Sequence, residues 1–226
     1  MRQTRPYLSF ITLLLAGLSP FHVYAWASSE IETLIRKMKV AYAAVSDYQA
    51  HMEVRTFRTD GSFDIRIFLY TFKKPKKIRL DFESPYSGLT IVYPDQNGKV
   101  ALRRFLTFHL APDNFLLQVS AGQRIDQTDV GLLITNIAHS LTDHRRGPWT
   151  ATEEDKAIRI RVMADDHFRK GDVTLYHFLI DKEVWLPIEV EESSPDGLLE
   201  RTIVFRNLRT NIGVPDNFFR LNGDKK

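Results

Sequence analysis

The side chains able to do chemistry are few, and their spacing does not suit them to it. Beyond residue 25 the chain has six histidines, His51, His109, His139, His144, His167 and His177. None stands in a His-x-x-x-His or His-Glu pairing that would set two zinc ligands on one helix face. The densest group of possible ligands, Asp165-Asp166-His167, falls between two alternating segments, where Asp is favoured because it hydrogen-bonds the backbone of a turn. Glu189, Glu191 and Glu192, and the run Glu153-Glu154-Asp155, offer paired carboxylates for acid–base work, but they read as polar strand faces and turns, where a carboxylate is solvated. There is no Gly-x-Ser-x-Gly elbow, no phosphate-cradling glycine loop and, with no cysteine, no thiol nucleophile. The expectation is a protein that is not an enzyme and uses neither cofactor nor metal.

Basic residues cluster at Lys73, Lys74, Lys76, Lys77 and Arg79. The cluster reads either as a solvated turn and strand edge, with Lys discouraging edge-to-edge pairing, or as a docking patch for an acidic partner or anionic headgroup. Arg2 and Arg5 precede an apolar run from Tyr7 to Leu18, then Pro20, then Ala25 and Ala27, which is the layout of a secretory signal peptide. That run is about a dozen residues, short of the roughly 20 that span a bilayer, and no transmembrane segment is expected downstream. Without Arg2 and Arg5 the chain has 29 Lys+Arg against 28 Asp+Glu, and such near neutrality argues against nucleic acid as a partner. Absence of cysteine excludes both a disulfide framework and an acylated cysteine anchor. The reading is residues 1–25 as signal peptide and 26–226 as a single exported domain, monomeric, not lipid-anchored and held by its core.

The elements follow from the hydrophobic period. Ser29-Glu30-Ile31-Glu32 has the form of a capping box, and Ile31, Leu34, Ile35, Met38, Ala41, Tyr42 and Val45 keep helical spacing, predicting a helix over 29–45. The period then becomes two: Tyr48, Ala50, Met52 and Val54 in one strand, Phe63, Ile65, Ile67 and Leu69 in the next, Ile78, Leu80 and Phe82 in a third, making a meander. The second strand ends in Phe68, Tyr70 and Phe72 on its other face, so that end is covered on both sides. Further strands are expected near 88–94, 98–106, 115–121, 148–153, 157–163 and 172–180, and in the two arms of "EVWLPIEVEESSPDGLLERTIVF", with Val184, Leu186, Ile188 and Val190 on one face and a turn at Ser194-Pro195-Asp196-Gly197. Pro187 cannot donate a ladder hydrogen bond, so that strand lies at an edge or is bulged. A second helix over 128–142 carries Val130, Leu133, Ile134, Ile137 and Leu141.

This is a mainly β (α+β) chain: a large curved antiparallel sheet, an incomplete barrel of about ten or eleven strands, with two amphipathic helices covering the concave face. The stretches "VSDYQAHMEVRTF", "YTFKKPKKIRLDFESP" and "DKEVWLPIEVEESSPDGLLERTIVFRNLRTNIGVPDNFF" resemble the LolA-like superfamily of periplasmic lipoprotein carriers over nearly the whole region after the signal peptide. "PYSGLTIVYPDQNGKVALR" and "RIDQTDVGLLITNI" are similar to an uncharacterised exported family of the same layout. The resemblance implies an apolar concave face that receives acyl chains. It also places Lys74 where the best-known carrier has an arginine that helps hold a lid helix shut; a lysine cannot make the same planar, forked contact.

The expected function is a periplasmic carrier or chaperone for a lipidated protein or free lipid, with an inner-membrane donor and an outer-membrane acceptor as partners and a place in outer-membrane biogenesis. The alternative is an envelope sensor or scaffold that binds a partner protein on the same sheet. The expected cavity wall is Met52 and Val54, then Ile65, Ile67 and Leu69, then Ile78, Leu80 and Phe82, and finally Leu186, Ile188 and Val190. The expected lid is Leu133, Ile134 and Ile137, with Lys74 at its rim.

Overall fold

The structure is a computed structural model, and it describes residues 28–114, 117 and 123–221. The signal-peptide segment and most of the strand expected at 115–121 lie outside the described residues. The chain runs α1 (Ser28–Ala43), β1 (Asp47–Phe57), β2 (Phe63–Lys73), β3 (Lys77–Ser84), β4 (Thr90–Tyr93), β5 (Val100–Arg103), β6 (Thr107–Leu110), α2 (Val130–Thr142), β7 (Thr150–Glu153), β8 (Ala157–Asp165), β9 (Val173–Asp181), β10 (Pro187–Ser193) and β11 (Leu199–Thr210). All eleven strands form one antiparallel sheet in the order β6-β5-β4-β3-β2-β1-β11-β10-β9-β8-β7. The sheet is open, with β6 and β7 as its edges, and both helices lie against it. No helix among the described residues is long and apolar enough to cross a membrane.

Register decides which side of each strand faces the helices. In β1, Tyr48, Ala50, Met52 and Val54 are buried. Opposite them on β2 stand Phe72, Tyr70, Phe68 and Arg66. Ile65, Ile67 and Leu69 therefore pair with Arg55, Glu53 and His51 and sit half-buried on the convex side, not on the expected cavity wall. The cause is that β2 is apolar on both faces: period two cannot choose between them, and the aromatic set, which removes the larger apolar area from water, takes the core. β3 follows the expected phase, with Ile78 opposite Phe72, Leu80 opposite Tyr70 and Phe82 opposite Phe68.

The expected strand at 98–106 is a hairpin instead, β5 turning at residues 104–106 into β6. α1 starts at Ser28, one residue ahead of the expected cap, and buries Ile31, Leu34, Ile35 and Met38. Lys37 Nζ lies 3.8 Å over the Trp185 ring, which brings α1 to the β9–β10 turn.

The basic cluster holds the chain's own C-terminal segment. Lys73 and Lys77 reach Asp216 at 2.7 and 3.0 Å, Lys73 Nζ donates to the Val214 carbonyl, and Arg79 donates to the Phe218 carbonyl at 2.8 Å. These bonds seat Val214, Phe219 and Leu221 against Val92 and Ala101 in a second small core. Those two residues face away from Ile91 and Val100, which belong to the main core, so β4 and β5 are covered on both sides.

Candidate functional site

The concave face is not filled solid. Met52 and Val54 of β1, Phe178 of β9, Val190 of β10, and Ile203 and Phe205 of β11 form the floor of a cavity. Leu133 and Asn136 of α2 and Phe168 of the β8–β9 turn close it. Its volume is about 50 Å³, enough for a few waters. A second apolar cavity of about 270 Å³ lies under β3–β5, between Phe68, Leu80, Phe82, Ile91 and Leu102, with Leu117 and Ile125 over it.

Of the expected wall, Met52, Val54 and Val190 line the first cavity and Leu80 and Phe82 the second. Ile78 and Leu186 are buried in the core outside both. Ile188 is not on the wall: the β10 register shifts between Pro187 and Glu189, leaving Ile188 half-buried at a bulge and outside the core cluster. Pro187 supplies the reason, because it has no N–H for the ladder. Of the expected lid residues, Leu133 faces the cavity, whereas Ile134 and Ile137 are fully buried core.

The N-terminus of α2 is held by hydroxyls. Asp129 caps it, accepting from Leu132 N at 3.0 Å and from the Tyr42 hydroxyl at 3.1 Å. The Tyr48 hydroxyl accepts from Val130 N at 3.1 Å, and Tyr70 and Thr128 share a hydrogen bond of 3.1 Å. Burial pushes Tyr42, Tyr48 and Tyr70 above the ordinary phenol range, Asp129 adding to it, so all three remain neutral hydrogen-bonding groups at any physiological pH. The side-chain polar contacts of Lys74 among the described residues are to α1. Its Nζ donates to the carbonyls of Tyr42 and Ala43 at 2.7 and 3.2 Å and stands 4.4 Å over the Tyr42 ring, capping the C-terminus of α1. Its link to α2 runs through Tyr42, whose hydroxyl donates to the Asp129 cap, in place of the expected direct rim contact.

One end of the cavity is polar, and the sequence reading missed it. Glu192 of β10 and Arg201 of β11 are directly opposed across the ladder, form an ion pair, and are 8 % and 5 % exposed. Gln123 accepts from Arg201 Nη1 at 3.5 Å and donates to the Gln127 carbonyl. The expected solvated position of Glu192 is thus overturned. The signal was available: Glu192 is in phase with Val190, and Arg201 with Ile203 and Phe205.

At the other end of α2, Ser140 Oγ and His167 Nε2 are 3.1 Å apart, and the imidazole stacks on Tyr176 at 4.8 Å. Burial lowers the His167 pKa to about 4; nearby His139 acts in the same direction and Asp166 opposes it. The unfolded chain, with an ordinary imidazole near 6.5, then binds the proton more readily than the folded one, so this contribution is complete above about pH 6.5 and is lost as the pH falls toward 4. Urea denaturation should give about 2 kcal/mol less stability at about pH 5 than at about pH 7, and His167→Gln should remove most of the difference. An undiminished slope in that variant would assign the effect to other groups.

Asp166 does the work of a turn residue, accepting from Phe168 N, Arg169 N and Thr174 Oγ1, while Asp165 pairs with Arg146. Among the described residues no group of three or more His, Asp or Glu side chains is placed to hold a metal ion.

No family model matches this chain. No curated protein matches it either. Solved structures do: MucB superposes with a TM-score of 0.51 at 13% identity, over 87% of this chain and 64% of that one. The chain therefore spans about two thirds of MucB's length. The MucA/MucB complex of Pseudomonas aeruginosa superposes at 0.48 and 14% identity, over 85% of this chain and 61% of that one. A LolA superfamily protein from Nitrosomonas europaea does so at 0.41 and 11%, over 84% and 97%. An open antiparallel sheet wrapped over two helices, superposing on MucB and carrying the stretches that resemble the carriers, is a LolA-like fold.

Proposed function

We propose that residues 26–226 form a single exported domain, delivered to the periplasm by the leader at 1–25, that carries an amphiphile by its acyl chains between the concave sheet and α2. The observation that supports this reading is the apolar cavity against β1, β9, β10 and β11, covered by a helix and not by a second sheet. An acyl chain gains about 0.8 kcal/mol per methylene removed from water, so ten methylenes bring about 8 kcal/mol. The hydroxyl tethers of α2 contribute about 1 kcal/mol each, far less than that gain. Undocking the helix would also expose Val130, Ile134, Ile137 and Leu141, at roughly 1.5–3 kcal/mol apiece. Entry by a shift of α2 that keeps this stripe covered is consequently favoured over its full release. The chain needs no nucleotide for this: a donor loads it and an acceptor with a better apolar site unloads it.

The test is native mass spectrometry of the protein purified from periplasm without detergent, paired with uptake of a fluorescent fatty-acid probe. Co-purifying lipid or lipopeptide mass, and loss of probe uptake of roughly tenfold or more in Leu133→Asp, are expected. Leu133 is the residue to change, since it faces the cavity, whereas Ile134 is core and its loss would unfold the helix. An empty protein whose Leu133→Asp variant takes up probe unchanged would overturn the reading, and a co-purifying protein in place of lipid would move it to partner binding.

A further inference from the structure

The Glu192–Arg201 pair is unexpected on an apolar wall. Replacing a buried ion pair with well-packed apolar side chains is often neutral or stabilising, so the pair is not explained by stability. Its charges balance each other. What remains is a donor: Arg201 Nε is buried and, among the described residues, has no hydrogen-bond partner.

Position adds to this. Both residues line the apolar cavity and also a groove of about 520 Å³ at the hairpin end of the sheet, where Arg58, Asp166, Arg169 and Glu200 alternate in charge. The pair therefore stands between an apolar interior and a charged mouth.

We infer that Arg201 reads the ester or amide carbonyl at the head of an acyl chain, with the chain directed inward past Val190 and the headgroup left in the groove. A neutral acceptor is the complement to a lone N–H beside a charge-balanced pair, because a free carboxylate there would leave a second buried negative charge next to Glu192. The inference rests on the carrier reading and narrows it to acyl esters and amides, as in acylglycerols and N-acylated proteins, over free fatty acids.

The experiment is displacement of a bound fluorescent alkyl probe by dioctanoylglycerol, by its diether counterpart without carbonyls, and by octanoate. The intact protein should bind the diester about tenfold more tightly than the diether, the discrimination of one hydrogen bond from a charged donor. In Glu192→Leu/Arg201→Met, which leaves no unpaired buried charge, the ratio should fall to about one while both lipids still bind. A ratio near one in the unaltered protein, with both lipids bound, overturns the carbonyl reading and leaves the cavity reading intact. Octanoate binding more tightly than the diester, and losing that advantage in the double variant, overturns it in favour of an anion. Failure of every probe to bind overturns the carrier reading itself.

Discussion

Gly131→Ala should lower the melting temperature by roughly 4–8 °C, although alanine in place of glycine ordinarily stabilises the interior of a helix by about 1 kcal/mol. A Cβ at this position would lie 2.2 Å from Tyr42 Cε1, 2.5 Å from Tyr42 Cζ and 2.8 Å from Asp129 Oδ1. The Tyr42 ring cannot stay, and with it goes the hydroxyl bond to the capping carboxylate. Losing that bond and repacking the ring cost about 3 kcal/mol together, which outweighs the propensity gain by about 2 kcal/mol. Tyr42→Ala should remove the ring from the clash and leave only the 2.8 Å approach to Asp129 Oδ1, so that adding Gly131→Ala to it costs less than in the unaltered protein. Thermal melts of the two single variants and the double measure this coupling. A higher melting temperature for Gly131→Ala alone would mean that Tyr42 does not rest on α2. Because the disturbance is confined to the first turn of the helix, probe uptake should become faster even as the fold weakens.

The second large effect concerns stability at the polar end. Arg201→Leu should cost about 3–5 kcal/mol in urea denaturation, since it leaves Glu192 buried without its counter-charge. Adding Glu192→Leu should recover most of that loss. If the single variant is as stable as the unaltered protein, Glu192 has found water or another partner, and the pair is not the closed element described.

How much of this was legible follows particular residues. β1 and β3 could be placed because each alternates strictly, Met52 against Glu53 and Leu80 against Asp81, and only one face can be buried. β2 could not, because Ile67 and Phe68 are both apolar and only cross-strand register, a long-range property, separates them. In β10 parity holds from Val190 onward and points Glu192 inward. The chemical expectation that a glutamate is solvated overrode the geometry, and Arg201, nine residues further on, was what made the inward position tolerable. Ile188 was lost to the bulge at Pro187, whose occurrence the proline announced but whose extra residue it did not name. Lys74 was placed by resemblance. A lysine's compact ammonium, unlike a guanidinium, suits two carbonyls at a helix end, and there the structure has it.

The strand order carries one more consequence. The chain leaves one margin of the sheet at β6 and resumes at the opposite margin at β7, with α2 between them. Every other connection joins neighbours. α2 is thus a tie across an arch, anchored by tyrosines near the middle of the span and by His167 near one end. An open arch of hydrogen-bonded strands can change its curvature without breaking a rung, provided its tie yields. Widening of the cavity and spreading of the two margins are then a single movement, and amide exchange in β6 and β7 should quicken whenever α2 shifts, although neither strand touches the cavity.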